Sequence, residues 1–293
     1  MLCAIWGSTW AFIKIGLRDL PPITFAGIRF IIAVSVLLVI AYLRRARLPR
    51  TNAEWRVIAI TGILQFTLNY GLIFWGEKYI SSGLAALLQA TIPLFGLLIA
   101  HRLLPEEPLT ITKLCGIVLG LAGVAVIFSD QLRLGDIWSV WGSAAIILGA
   151  LAAAYSNVLV KAEGAKFDLS VLVAGQMLCG LVPLLIFSLI KEGNPLALRW
   201  TPAAIFSIVY LALVGSVAAF MLYYWLVRHM DVTNTQLIAL VTPVVAVLLG
   251  VMFLDEALTW RIALGGLGIF MGIGLIILRR RKPARDVPET SSG

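Results

Sequence analysis

Ten runs of apolar residues follow one another along this chain, separated only by short polar breaks. They cover roughly 1–17, 24–43, 55–75, 80–103, 110–128, 137–160, 169–190, 202–226, 232–254 and 259–279. Each approaches the ~20 residues a helix needs to cross a bilayer's hydrocarbon core. Inside lipid a backbone finds no water, so each run must satisfy its own N–H and C=O groups as a helix. The pattern specifies an all-α membrane protein of ten transmembrane helices. Of the 293 residues, 60% are hydrophobic and 13% charged, against about a quarter charged in soluble domains. A soluble enzyme or scaffold is excluded on that ground.

The net charge of +8 raises the possibility of a nucleic-acid partner, but the basic residues form no stripe. They cluster beside the apolar runs, as in "RRARLPR" (44–50) and "RRRKPAR" (279–285), which is how cytoplasmic loops are marked. Fifteen Lys and Arg fall in loops of one side and the tail, six in loops of the other. Both termini are therefore expected in the cytoplasm of a cell whose inner membrane holds the chain. Cys3, Cys115 and Cys179 lie in apolar runs without metal-ligand spacing, and buried, inert thiols are expected. The first run lacks the basic flank and cleavage site of a signal peptide. Residues 283–293 read as a disordered tail.

An internal repeat organises the chain. At a constant offset of 150, Trp75 meets Trp225, Lys78 meets Arg228, Pro93 meets Pro243, Glu106 meets Glu256 and Gly116 meets Gly266. Two five-helix units follow, 1–128 and 137–279. Five is odd, so the second unit must cross the membrane in the opposite sense. Inverted repeats with a solute site between them are a transporter architecture.

Three features together carry a resemblance to a known family: "WGSTW" (6–10), a mid-run proline in runs four and nine, and a glutamate thirteen residues after each proline. With Pro93 and Glu106, and Pro243 and Glu256, the chain resembles the EamA branch of the drug/metabolite transporter superfamily over essentially its whole length. The resemblance implies a secondary transporter exporting metabolites, amino acids or drugs by alternating access. Exporters of aromatic and other neutral amino acids are the first comparison, and a multidrug or other metabolite exporter is the alternative. A membrane-bound lipid-handling enzyme is the alternative from another class, but no catalytic cluster supports it.

Polar residues inside the runs mark candidate solute contacts, because polar groups avoid lipid. Trp6, Thr9, Trp10, Ile13 and Lys14 share one helical face; an interfacial belt is the competing reading for the two tryptophans. Gln65, Asn69 and Ile73 form a stripe beside Phe66, Tyr70 and Phe74, and run eight offers Phe220, Tyr223 and Tyr224. Ser82, Gln89 and Pro93 share a face in run four, as do Thr235, Gln236 and Pro243 in run nine. Tyr155 and Asn157 are the interior candidates of run six, with Trp138 and Trp141 at its outer end as belt residues. The substrate-binding set is Trp6, Thr9, Trp10, Asn69, Tyr70, Ser82, Gln89, Tyr155, Tyr224 and Gln236, with Pro93 and Pro243 as hinges.

Lys14 and Arg29 are expected to snorkel to the interface, and Glu106 and Glu256 to sit at helix N-termini. Gly116-x-x-x-Gly120 and Gly268-x-x-x-Gly272 suit close helix contact. All fifteen acidic residues fall in loops, tails or run edges. That argues against carboxylate-borne proton coupling and for facilitated diffusion. No metal or cofactor is implied. The expected partners are a small-molecule substrate and the lipid bilayer, and a monomer is the expected state.

Overall fold

The computed structural model describes residues 1–76, 79–80, 82–129, 136–192, 198–253 and 260–278. Among these every regular element is helical. In chain order they are α1 (Leu2–Gly16), α2 (Pro22–Leu43), α3 (Asn52–Gly62), α4 (Tyr70–Gly76), α5 (Ser82–Gln89), α6 (Ile92–Leu103) and α7 (Ile111–Ile127). After these come α8 (Ile137–Glu163), α9 (Leu169–Lys191), α10 (Pro202–Ala212), α11 (Ala219–His229), α12 (Val232–Gln236), α13 (Ile238–Phe253) and α14 (Trp260–Leu278).

Helix starts follow from local chemistry. Proline occupies the first turn of α2 and α10, where its missing N–H costs nothing. Thr51 with Glu54, and Asp136 with Ser139, close capping boxes on α3 and α8. Thr110, Asp168 and Thr201 each accept a backbone N–H at the start of α7, α9 and α10. Such caps mark where the chain re-enters an apolar medium.

Among the described residues, five continuous helical stretches are long and apolar enough to cross a membrane: Pro22–Leu43, Asn52–Ile73, Ile137–Lys166, Leu169–Lys191 and Pro202–His229. Shorter apolar stretches cover Leu87–Leu103, Ile111–Ile127, Val232–Val245 and Ala263–Ile277. The outer surface carries large apolar side chains in quantity, among them Leu38, Val39, Phe206, Phe270 and Met271, each about half exposed or more. An apolar surface of that extent suits a lipid environment.

Two joins are π-helical: Ile63–Asn69 links α3 to α4, and Leu213–Ala218 links α10 to α11. Both start positions are related by the 150-residue offset. The breaks at the prolines do not match in the same way. Thr91 ends the turn between α5 and α6 just before Pro93, whereas Pro243 stays inside α13 and the break of that run falls at Leu237. The two prolines, expected as a pair of hinges, thus occupy different helical settings: Pro93 at the start of α6 and Pro243 inside α13.

Packing is densest where side chains vanish. α7 and α14 run against each other through glycines: a Cβ on Gly116 would stand 2.6 Å from the Gly272 carbonyl oxygen, and one on Gly123 2.5 Å from that of Gly265. Backbones this close admit only glycine. The expected contact of the two glycine motifs is thus present.

Glu107 carries the helix-terminal role expected of its neighbour. Glu106 is exposed, while Glu107 is buried and its carboxylate accepts the N–H groups of Val232 (2.8 Å) and Thr233 (3.4 Å), closing the start of α12. Burial pushes its carboxyl up, and these backbone donors pull it down. Glu192 does the same for α2, accepting from Ile23 N and Thr24 N at 3.1 and 2.7 Å. Both carboxylates act across chain-distant elements. Glu256 and residues 283–293 lie outside the described residues. Cys115 is exposed, not buried, because its helix turns that face outward.

Candidate substrate cavity

A cavity of ≈ 200 Å³ opens between α1, α2, the π-helical Ile63–Asn69, α4, α5, α8, α11, α12 and α13. Trp6, Thr9 and Ile13 face it from α1, so the first stretch of the chain contributes an inward wall. Trp6 is held edge-on to Phe220 at 5.7 Å and against Tyr223 at 5.1 Å between ring centroids. Thr9 is buried and its hydroxyl donates to the Trp6 carbonyl at 2.7 Å, which removes its polarity from the helix surface.

The stripe Gln65, Asn69 and Ile73 reaches the cavity complete. The π-helical turn beneath it turns these residues toward one space, and such turns recur at functional sites. Gln89 donates through Nε2 to Asn69 Oδ1 at 3.3 Å, tying the end of α5 to the stripe. Tyr70 lines the same wall, stacked on Phe66 at 6.2 Å. Asn157 and Gln236 enter from α8 and α12.

Three amide oxygens here, Gln65 Oε1, Asn157 Oδ1 and Gln236 Oε1, are buried without a hydrogen-bond partner among the described residues. An unsatisfied buried polar group costs about 1–3 kcal/mol. All three are sealed from the open space of the cavity, and Gln236 Oε1 packs against Gly96 of α6.

Arg29 is the residue that periodicity misplaces. It is 5% exposed, lines the cavity, and does not snorkel. Its Nε donates to Ser216 Oγ at 2.7 Å and its Nη2 to the Gly215 carbonyl at 3.2 Å, both in the π-helical Leu213–Ala218. The guanidinium carbon lies 5.4 Å from the Phe30 ring centre and 5.9 Å from that of Tyr70. A buried polar and aromatic cage replaces the membrane interface as its environment.

Two expected contacts are corrected. Tyr155 is 40% exposed on the outer face of α8, because the wall-forming residues Ala153 and Asn157 occupy the opposite side of that helix. Tyr224 is fully buried but stands behind the wall, packed on Phe220 and Tyr223. Tyr223 lines the cavity in its place. Pro243 lines the cavity, while Pro93 is buried outside it. Trp138 and Trp141 are exposed in the first turns of α8. The side chains of Trp10, Lys14 and Ser82 lie outside the described residues.

The sequence pointed to no cavity role for Arg29, Ile92, Ala153, Ile238 and Thr242. Thr242 offered a weak signal, one turn from Ile238 on the Pro243 face. Arg29 offered none, since its neighbours are apolar on every side.

A helical membrane protein with a central cavity walled by amides and aromatic rings has the form of a solute carrier. The chain belongs to the EamA-like transporter family, which matches it twice, over residues 1–129 and 140–278. It is 30% identical over 269 residues to the uncharacterized transporter YoaV of Bacillus subtilis (strain 168), covering 92% of this chain and 91% of that one. It is 34% identical over 253 residues to the uncharacterized inner membrane transporter YedA of Escherichia coli (strain K12), covering 85% and 79%. A solved crystal structure superposes with a TM-score of 0.83 at 20% sequence identity over 96% of each chain, and shares the fold. Family and relatives mark the chain as a membrane transporter of the drug/metabolite superfamily and not an enzyme.

Proposed function

We propose that the chain is a ten-helix inner-membrane transporter built from two inverted five-helix repeats, exporting small neutral or zwitterionic metabolites by alternating access. Amino acids, aromatic ones included, are the proposed substrates. Helix packing supports the repeat, because contacts come in pairs that exchange when the halves are swapped. α1 packs on α13 and α8 on α6; α3 packs on α9 and α10 on α2; α3 packs on α8 and α10 on α1; α4 packs on α8 and α11 on α1. α2 with α9 and α7 with α14 are contacts each exchanging with itself. The two π-helical turns obey the same operation.

The observation that carries the substrate reading is the cavity itself. At ≈ 200 Å³ it is smaller than the roughly 300–1,000 Å³ of drug-sized pockets. Both halves contribute rings for stacking and amides for orientation. Those dimensions favour a metabolite over a bulky drug.

Flux from proteoliposomes loaded with a panel of amino acids and cationic drugs tests this. Release of small zwitterions in preference to drugs is expected. Drug release without amino acid release would replace the reading with a multidrug exporter. The fifteen-to-six asymmetry of Lys and Arg supports cytoplasmic termini. A cysteine placed in the 44–50 loop should therefore react with impermeant thiol reagents only from the cytoplasmic side; labelling of intact cells from outside would refute that orientation.

A further inference from the structure

We propose that Arg29 anchors the carboxylate of the transported solute, so that the cavity selects molecules bearing a carboxylate over amines of the same size. The inference rests on the transport reading only for treating the cavity as a solute site. Its own evidence is a buried charge without a counter-charge among the described residues.

Arg29 is the eighth residue of α2, about two turns into the helix. Its partners Gly215 and Ser216 fall at the middle of the Pro202–His229 stretch. The guanidinium is therefore held deep in the membrane-spanning layer. Its Nε and Nη2 donate to a hydroxyl and a carbonyl, and the Tyr70 hydroxyl meets the same guanidinium; none of these carries a carboxylate's negative charge. Among the described residues the ion pairs are Lys113 with Asp231 and Lys166 with Glu163, and Arg29 belongs to neither. A buried ion with no opposite charge costs several kcal/mol. Side-chain polarity and the Phe30 and Tyr70 rings offset only part of that.

The planar fork of a guanidinium, with five N–H donors, matches a carboxylate. The swapped helix offers a comparison by position along the helix. The eighth residue of α9 is Gln176, completely buried, which donates through Nε2 to Thr61 Oγ1 at 2.6 Å beside the other π-helical turn. That link is made by neutral groups. Arg29 brings a full charge to its own link, and it faces the cavity.

The opposite requirement of a zwitterion is also met. The amide side chains of Gln65, Asn69 and Asn157 line the same cavity, and amide oxygens are acceptors suited to an ammonium group. The walls thus hold a cation for the acid end and neutral acceptors for the amine end.

The test is calorimetric binding to the purified full-length protein in nanodiscs, using three probes that share one ring. They are L-phenylalanine, 3-phenylpropionate and 2-phenylethylamine. The two carboxylates are expected to bind at least tenfold more tightly than the amine. Arg29→Gln is expected to weaken both carboxylates about ten- to a hundredfold, the range for a hydrogen-bonded charge, and to leave the amine unchanged or improved. Arg29→Lys, which keeps the charge but loses the fork, should preserve the acid-over-amine order at lower affinity. Amine binding equal to or tighter than acid binding in the wild type overturns the proposal, as does an order unchanged in Arg29→Gln. The wild-type order decides even if a variant misfolds. Zwitterion flux with no carboxylate preference would remove this inference and leave the transport reading. Carboxylate binding with no flux of any solute would do the reverse.

Discussion

Gln236 shows how one side chain in the cavity depends on the absence of another atom. An added Cβ on Gly96 of α6 would stand 1.5 Å from Gln236 Oε1, so even alanine must drive the amide from its place. Gly96→Ala is expected to fold, because only a side-chain end has to move. It should also raise the KM for the transported solute by about two- to tenfold, the worth of one hydrogen bond. Counterflow in proteoliposomes with a melting curve as control checks both parts, and an unchanged KM would mean that Gln236 does not meet the solute. The stripe of Gln65, Asn69 and Ile73 was legible in the sequence, because a period of about four residues puts all three on one side of any helix. Arg29 was not, because a charge in an apolar helix has two escapes, outward to the interface or inward to polar partners. Only the partners Gly215 and Ser216, 186 and 187 residues away in sequence, decide between them.

Among elements, α7 and α14 depend most on what is missing from their side chains. Gly272 approaches so near that a Cβ would meet the Gly116 oxygen at 2.3 Å and the Gly120 nitrogen at 2.9 Å. Those are backbone atoms, which cannot rotate aside. Gly272→Leu is expected to separate the two helices and to destabilise the protein by more than about 3 kcal/mol, the upper range for overpacking. The readout is the melting temperature of protein in detergent, with loss of folded material in size-exclusion chromatography. Gly274 has nothing within 4 Å of an added Cβ, and Gly274→Ala should be tolerated. Equal effects at both positions would contradict close packing as the cause. The two glycine motifs disclosed this contact in sequence. The role of Glu107 was hidden there, since adjacent glutamates look alike and only the approach of α12 buries one of them.

For the whole molecule, the described part of the cavity contains no carboxylate, and its one described ionisable cation is a guanidinium, which does not release protons near neutral pH. Facilitated diffusion follows as the expected energetics. In proteoliposomes, a solute gradient should drive flux at the same rate with and without a pH difference. An imposed pH gradient alone should not concentrate a zwitterion. Several-fold accumulation against the solute gradient would refute this, and Tyr70 and Tyr223, whose rings line the cavity, would be the first residues to substitute.

Apolar run length, loop charge and the 150-residue register determined by themselves that this chain is a helical membrane protein with an internal duplication. Those properties arise from local chemistry: backbone groups must be satisfied in lipid, and cations stay with the cytoplasmic loops. The tertiary structure alone decided which face of each helix meets the cavity. In a helix that is apolar all round, periodicity groups residues into faces but does not rank them. Tyr155 turned outward, Tyr224 stepped behind the wall, and Arg29 turned in, each according to the neighbour that another part of the chain supplied.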